Sequence, residues 1–287
     1  MRASVARHGS SPFGQLLHQW RRVRGKTQLD LAIEAEISPR HLSFVETGRS
    51  TPSREMVLLL ASALEVPLRE RNTLLGAAGY APVYSETRLD APELESARLA
   101  LELILAHQEP YPAVVMNRHW DMVSSNQAAR IFFSFLLGEP DPSAPAPNVV
   151  RLMFHPEGLR PYVANWDDVA NSLIQRVHRE AVGGLADEAT RRLLDEVLGY
   201  PGVPKPWRLH DPAAPLAPFV PIAFRKDDVS VRFFSTVTTL GTPQDVTLQE
   251  LRVECFFPAD RDTAEQARRL FGARPEVVRA VNGEAAR

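Results

Sequence analysis

One cysteine, eight histidines and a few paired carboxylates are the side chains of this 287-residue chain best suited to covalent or metal chemistry. Their spacing organises none of it. Cys255 stands alone, which excludes a disulfide framework within the chain and a cysteine-rich metal site. It lies in an apolar, alternating stretch and reads as an inert core thiol. The histidines form no His-Glu-x-x-His run, no Gly-rich phosphate loop is present, and Gly-x-Ser-x-Gly is absent. A lone haem ligand at His178 or His210 is the weaker reading of those residues. Asp167-Asp168 and Asp227-Asp228 read as a helix start and a turn. The expectation is therefore no catalytic residue, no metal and no required cofactor.

What remains is electrostatics and hydrogen bonding. The chain is nearly neutral, at −2, but unevenly so. Residues 1–80 hold 11 Lys/Arg against 7 Asp/Glu, and residues 81–287 hold 22 against 28. A basic head on an acidic body fits a nucleic-acid-binding module joined to something that does not bind nucleic acid. Hydrophobic residues at 44% and charged residues at 24% are ordinary for a soluble globular protein. The length suggests two domains. No apolar run reaches the ~18–20 residues that span a bilayer. Met1 to Ser11 is basic and lacks the apolar stretch of a signal peptide. A cytoplasmic location without membrane contact is expected.

The elements that position the basic head are short helices with clear start signals. Apolar residues at Phe13, Leu16, Leu17, Trp20 and Val23 have helical spacing, and Gly25 stops them. Thr27 caps a second helix through Ala35, with Asp30 as its capping-box acid. Ser38-Pro39 starts a third, Arg40 to Glu46, because Ser caps and Pro suits the first helical position. Ser53 opens a fourth, Arg54 to Leu64, and a fifth runs from Leu68 to Ala77. Small Ala32 suits a steep crossing between helices two and three, which together read as a helix-turn-helix. In such units the N-terminal residues of the later helix lie near base edges in the major groove.

At Thr27-Gln28-x-x-Leu31-Ala32, Ile37-Ser38, Leu42-Ser43-x-x-Glu46-x-Gly48-Arg49 and Pro52-Ser53 the chain resembles the phage-repressor-like regulators of the XRE family. About 65 residues match in order. Glu36 departs from it, since many members carry Gly in that turn. The resemblance implies that Gln28 hydrogen-bonds a phosphate. It makes Pro39, Arg40, His41, Ser43 and Phe44 the exposed face of a recognition helix. Arg40 would read guanine O6 and N7, Phe44 would meet a thymine methyl, and Arg49 and Arg54 would face backbone phosphates. The plainer readings are a phosphate-only Arg40, a capping His41 and a Phe44 packed under the fourth helix. For Glu46 the expected role is structural, tying its helix to the Arg49 loop. Arg21, Arg22 and Arg24 are expected to be a solvated face.

Behind a linker at 83–92 comes a helix from Glu93 to His107. Then follow strands at 113–117 and 120–125, an Asn126-capped helix to Leu137, and a Pro-rich loop at 138–148. After an apolar Val149 to Phe154 come helices at 166–182 and 186–198. A loop from Gly199 to Pro221 carries seven prolines. Strands at 229–240 and 247–257 and a helix from Thr263 to Phe271 complete the body. One sheet with helices over it makes an α+β unit of PAS-like pattern, so the fold expected is an all-α helix-turn-helix domain (10–82) plus an α+β PAS-like domain (93–275), with a tail at 276–287.

The run Leu68-Arg69-Glu70-Arg71-Asn72-x-Leu74-Leu75-x-x-Ala78-Gly79-Tyr80-Ala81-Pro82 is followed by Trp120-x-x-Val123-x-x-Asn126-x-x-Ala129, Trp166-x-x-Val169-Ala170 and Trp207-x-x-His210. Together they resemble the MmyB-like regulators over nearly the whole chain. His178 stands where Arg is expected. The resemblance implies a PAS-like ligand-binding domain and a bound fatty-acid-like molecule. Such a ligand needs an apolar cavity with a polar group for its head. Candidate walls are Trp120, Phe132, Phe133, Leu136, Met153, Phe154, Trp166, Leu173, Phe234 and Phe256, which are otherwise plain core residues. Arg151 or Arg176 would hold a carboxylate if they are not solvated surface. One short recognition helix reads few bases, so a homodimer on double-stranded DNA is expected. The competing readings are an enzyme in the C-terminal region, which lacks a catalytic constellation, and an antitoxin-like partner binder without a small ligand, for which the body is oversized.

Overall fold

The computed structural model describes residues 11–139, 141, 143–183, 188–204 and 219–272. Trp207, His210 and the tail at 276–287 lie outside them. Two compact units are formed, with the division falling between Thr87 and Arg88; the segment Thr242–Gln249 belongs to the first unit.

The first unit is built on α1 (Pro12–Val23), α2 (Gln28–Glu34), α3 (Pro39–Glu46), α4 (Arg54–Ala63) and α5 (Leu68–Ala77). Ser11, Thr27, Ser38 and Ser53 each accept a hydrogen bond from an N–H of the first turn, satisfying donors that have no partner within the helix. At α2 the box is reciprocal, with Asp30 accepting from the Thr27 N–H. These bonds hold the Asp30 carboxyl below its ordinary range. The fifth helix begins after Pro67, whose side chain cannot cap it. Its Leu68 N–H donates instead to Gln249 Oε1 at 2.7 Å, a residue 181 positions later. The same late segment is tied down by Val246 N–H to the Ser85 carbonyl and Thr87 N–H to Asp245 Oδ2.

Phe13, Leu17, Trp20, Leu31, Leu42, Val45, Leu60 and Leu74 fill the core of the five helices. The first and third helices approach closely at Gly14, where a Cβ would stand 2.2 Å from the Glu46 carbonyl oxygen. Glu36 does adopt positive φ, at 51°, in the turn between α2 and α3.

The second unit centres on a five-stranded antiparallel sheet of β1 (Ala113–Met116), β2 (Met122–Ser125), β3 (Ile222–Lys226), β4 (Val229–Thr238) and β5 (Arg252–Pro258), in the order β2-β1-β5-β4-β3. With α6 (Glu95–Gln108), α7 (Gln127–Leu137), α8 (Val149–Phe154), α9 (Trp166–Gly183), α10 (Glu188–Gly199) and α12 (Arg261–Phe271) it makes an α+β fold. A short α11 (Val246–Glu250) connects β4 to β5.

Three elements differ from expectation. Residues 247–251 are not strand, because Asp245 Oδ1 accepts from the Thr247 N–H and starts a helical turn. The strand at 120–125 begins only at Met122, since Trp120 sits at φ 69° and Asn117 Oδ1 draws in the N–H groups of His119 and Asp121. The third strand, unforeseen beside its Pro-rich approach, pairs with β4 and is held by Ala164 N–H to the Ala223 carbonyl and Ala223 N–H to Asn165 Oδ1.

Candidate nucleic-acid interface and sensor core

Helix α3 buries Leu42, Val45 and, against its polarity, Glu46. The Glu46 carboxylate is satisfied from three directions. Arg21 Nε donates to Oε1 at 2.7 Å and Nη2 to Oε2 at 3.2 Å; Gln28 Nε2 donates to Oε2 at 2.6 Å; His18 Nδ1 stands 3.5 Å away. Burial by itself would raise this carboxyl, but the Arg21, Gln28 and His18 bonds outweigh it and hold it below its usual range. Glu46 is thus structural, but it ties α3 to α1 and α2 and not to the Arg49 loop. The expected solvated arginine face is likewise divided. Arg21 is buried in this pair, Arg24 donates to the Leu64 and Glu65 carbonyls that end α4, and Arg22 is exposed.

The opposite side of α3 faces outward. Pro39 and Arg40 are exposed, while His41, Ser43 and Phe44 are half-buried. The Phe44 ring is flanked by two guanidiniums, with the Arg40 Cζ 5.3 Å and the Arg49 Cζ 5.8 Å from its centroid. At these distances each guanidinium is attracted to the ring, which favours keeping both arginines near it. The Arg49 and Ser50 N–H groups both donate to the Phe44 carbonyl, fixing the loop to the helix. Arg54 is exposed at the start of α4. Gln28 lies beside α3 with its amide engaged by Glu46.

In the second unit Trp120, Phe132, Leu136, Met153 and Phe154 are buried in one cluster, with Phe133, Trp166, Leu173 and Phe256 packed against it. Phe132 meets Phe224, Phe233 and Phe271 edge-on, with centroids 5.0–5.9 Å apart. Phe234 is the exception among the ten expected walls. Strand alternation turns it to the face opposite Phe233, where it stacks on Phe257 at 5.5 Å and meets Phe219. Neither candidate arginine is an unsatisfied headgroup ligand. Arg151 pairs with Glu196 at 2.9 Å, and Arg176 pairs with buried Glu254 at 3.3 Å. Arg176 also lies over the Trp120 ring at 4.4 Å, and Arg252 lies 5.4 Å from that centroid. Cys255 is buried, and burial followed by the neighbouring Glu254 charge pushes its thiol up.

Residues 12–74 match the profile of a helix-turn-helix domain. Residues 97–270 match that of the MmyB-like transcription regulator ligand binding domain, more than half of the chain. The chain belongs to the MmyB-like transcription regulators. It is also similar to the uncharacterized HTH-type transcriptional regulator RghRB of Bacillus subtilis (strain 168), at 29% identity over 133 residues, which is 45% of this chain and 94% of that relative.

For this MmyB-like regulator, the family resemblance grouped the outward residues of α3, but sequence reading missed the Arg21, Gln28 and His18 partners of Glu46. Arg21 and Glu46 are 25 positions apart, and only a close packing of α1 on α3, marked by Gly14, joins them. The stacking of Arg176 and Arg252 on Trp120 was equally hidden, because it needs α9 laid across β5. Among the described residues, no helix is long and apolar enough to cross a membrane.

Proposed function

We propose that this HTH-type regulator binds double-stranded DNA sequence-specifically as a cytoplasmic homodimer, with α3 in the major groove and a small apolar, fatty-acid-like ligand in the C-terminal domain controlling it. The observation that carries the DNA half is the Phe44 clamp. It brings Arg40 of α3 and Arg49 of the following loop to one ring on the outward side of a helix whose inward side is locked by Glu46. A restrained guanidinium loses little entropy on pairing with guanine. Arg40 reads a base edge together with Pro39, His41, Ser43 and Phe44. Gln28, Arg49 and Arg54 take phosphates.

Ligand control is supported by the family; the walls proposed for the ligand are Trp120, Phe132, Leu136, Met153 and Phe154, with Phe133, Trp166, Leu173 and Phe256 at their margin. A ligand acts by binding one dimer geometry more tightly than the other. No cofactor or catalysis is required by this reading. Native mass spectrometry of the purified chain, followed by extraction and by selection from random duplexes, tests it. A bound apolar molecule and an enriched two-fold-related motif are expected. Absence of any enriched motif at modest ionic strength overturns the DNA half, and absence of any ligand dependence overturns the control.

A further inference from the structure

The core of the second unit lies against one face of its sheet, the face of Val114, Met116, Phe224, Val231 and Phe233. The other face of β3 and β4 carries a different set. Arg225 pairs with Ser230, Ala223 with Arg232 and Phe234 with Phe257, and paired residues project to the same side. Phe234 and Phe257 stack with centroids 5.5 Å and planes 19° apart, and the Phe219 ring lies 4.8 Å from Phe234. Phe219 is 49% exposed, while Phe234 and Phe257 are half-buried. Arg225, Ser230, Arg232 and Thr236 around them are exposed. Helix α6 packs on β1, two strands away from β4. An aromatic centre with a polar rim is the anatomy of a protein–protein interface.

The charges on this face select the occupant. Arg232 reaches Asp260 only loosely, at 3.8 Å, and Arg225 has no partner among the described residues. Asp260 stands just past the end of β5. Phe233 pairs with Pro258, so Asp260 lies nearly level with the Arg225–Ser230 pair. In the sheet, β3 and β5 flank β4 on opposite sides. A two-fold axis along β4, between two such faces, therefore sets β3 of one copy over β5 of the other. Each Arg225 is then brought toward the partner's Asp260, and each Phe234 and Thr236 meets its own counterpart. A lipid or nucleic-acid surface would attract the arginines but repel Asp260, whereas a second copy of the chain supplies both signs.

We infer that this face of β3 and β4 joins two copies of the chain, with Phe234 against Phe234 on the two-fold axis and Arg225 beside the partner's Asp260. The inference rests on the homodimer reading and gives that dimer its contact surface.

The test uses the full chain in sedimentation velocity over a concentration series, followed by cross-linking with the thiol oxidant diamide. The wild type is expected to be a dimer. Phe234→Asp should raise its dissociation constant about 100-fold. Arg225→Glu should raise it about tenfold with an unchanged thermal melt, because the position is exposed. Thr236→Cys, on the axis, should form an intermolecular disulfide, and Ser172→Cys, exposed on α9, should not. Cys255 is buried, which leaves the introduced thiol as the reactive one. Undiminished dimers in both the Phe234→Asp and Arg225→Glu chains overturn this face and leave the homodimer standing through another surface. A dimeric Thr236→Cys chain that does not cross-link does the same. A wild type that stays monomeric across the series overturns the inference and leaves the face to a different occupant. The homodimer on DNA is then judged separately, by whether the selected motif is two-fold-related.

Discussion

Arg21 Nε stands 2.7 Å from Glu46 Oε1, and both side chains are nearly out of water, at 11% and 4% exposure. The pair joins the first helix to the third, so the orientation of the outward face of α3 depends on it. Removing one partner strands the other as a buried charge, and Glu46→Ala should cost about 3–5 kcal/mol of stability of the N-terminal unit. The folded carboxyl is held below its unfolded value of about 4.3. Its contribution is therefore fully present above that pH and is lost as pH falls through the lower folded value. Urea titrations of wild type and Glu46→Ala between pH 7 and pH 3 check this. The two should converge toward the acid end, and a constant gap would contradict the assignment.

Glu36 pays for its left-handed backbone, at φ 51°, without the benefit glycine would bring. Glu36→Gly should stabilise the N-terminal unit by about 1 kcal/mol. Glu36→Ala should gain nothing, because alanine keeps the Cβ that makes this conformation costly. Thermal melts of the two variants distinguish them, and equal midpoints would refute the strain.

Arg40 and Gln28 should fail in different ways. Arg40→Ala should relax preference at one base pair by about 1–3 kcal/mol. An unchanged motif in a sequence-selection assay would reject base reading. Gln28→Ala should weaken binding to all duplexes alike. Since the Gln28 amide also supports Glu46 at 2.6 Å, the variant should lose about 1 kcal/mol of stability as well. Affinities must be compared at matched folded fraction, and a loss confined to one base pair would contradict a phosphate role.

Cys255 should alkylate slowly. Its thiol is buried and pushed above the ordinary range, so little thiolate is present at pH 8. Iodoacetamide labelling followed by mass spectrometry should be much slower in the folded chain than in denaturant. Equal rates would place the thiol at the surface.

Local signals were legible in the sequence because they act over three or four residues. Thr27, Ser38, Ser53 and Asn126 cap helices as their positions foretold, since a cap needs only its own first turn. Spacing turned Leu42 and Val45 of α3 inward, and the family resemblance supplied its outward face. Strand alternation was legible around Cys255 in β5, but which side of the sheet Phe234 of β4 occupied depended on what packed against each face.

Everything that joins distant positions was decided by the tertiary structure. Pro67 leaves α5 uncapped, and the acceptor that replaces a cap is Gln249, brought beside Leu68 only by the path of the folded chain. Glu46 reads as a structural acid tied to the Arg49 loop until α1 presses on α3 at Gly14 and delivers Arg21 to it. A side chain's type and its near neighbours are written in the sequence. Its burial and its distant partners are not, because they arise from packing, and packing sets whether a charge is solvated, paired or buried.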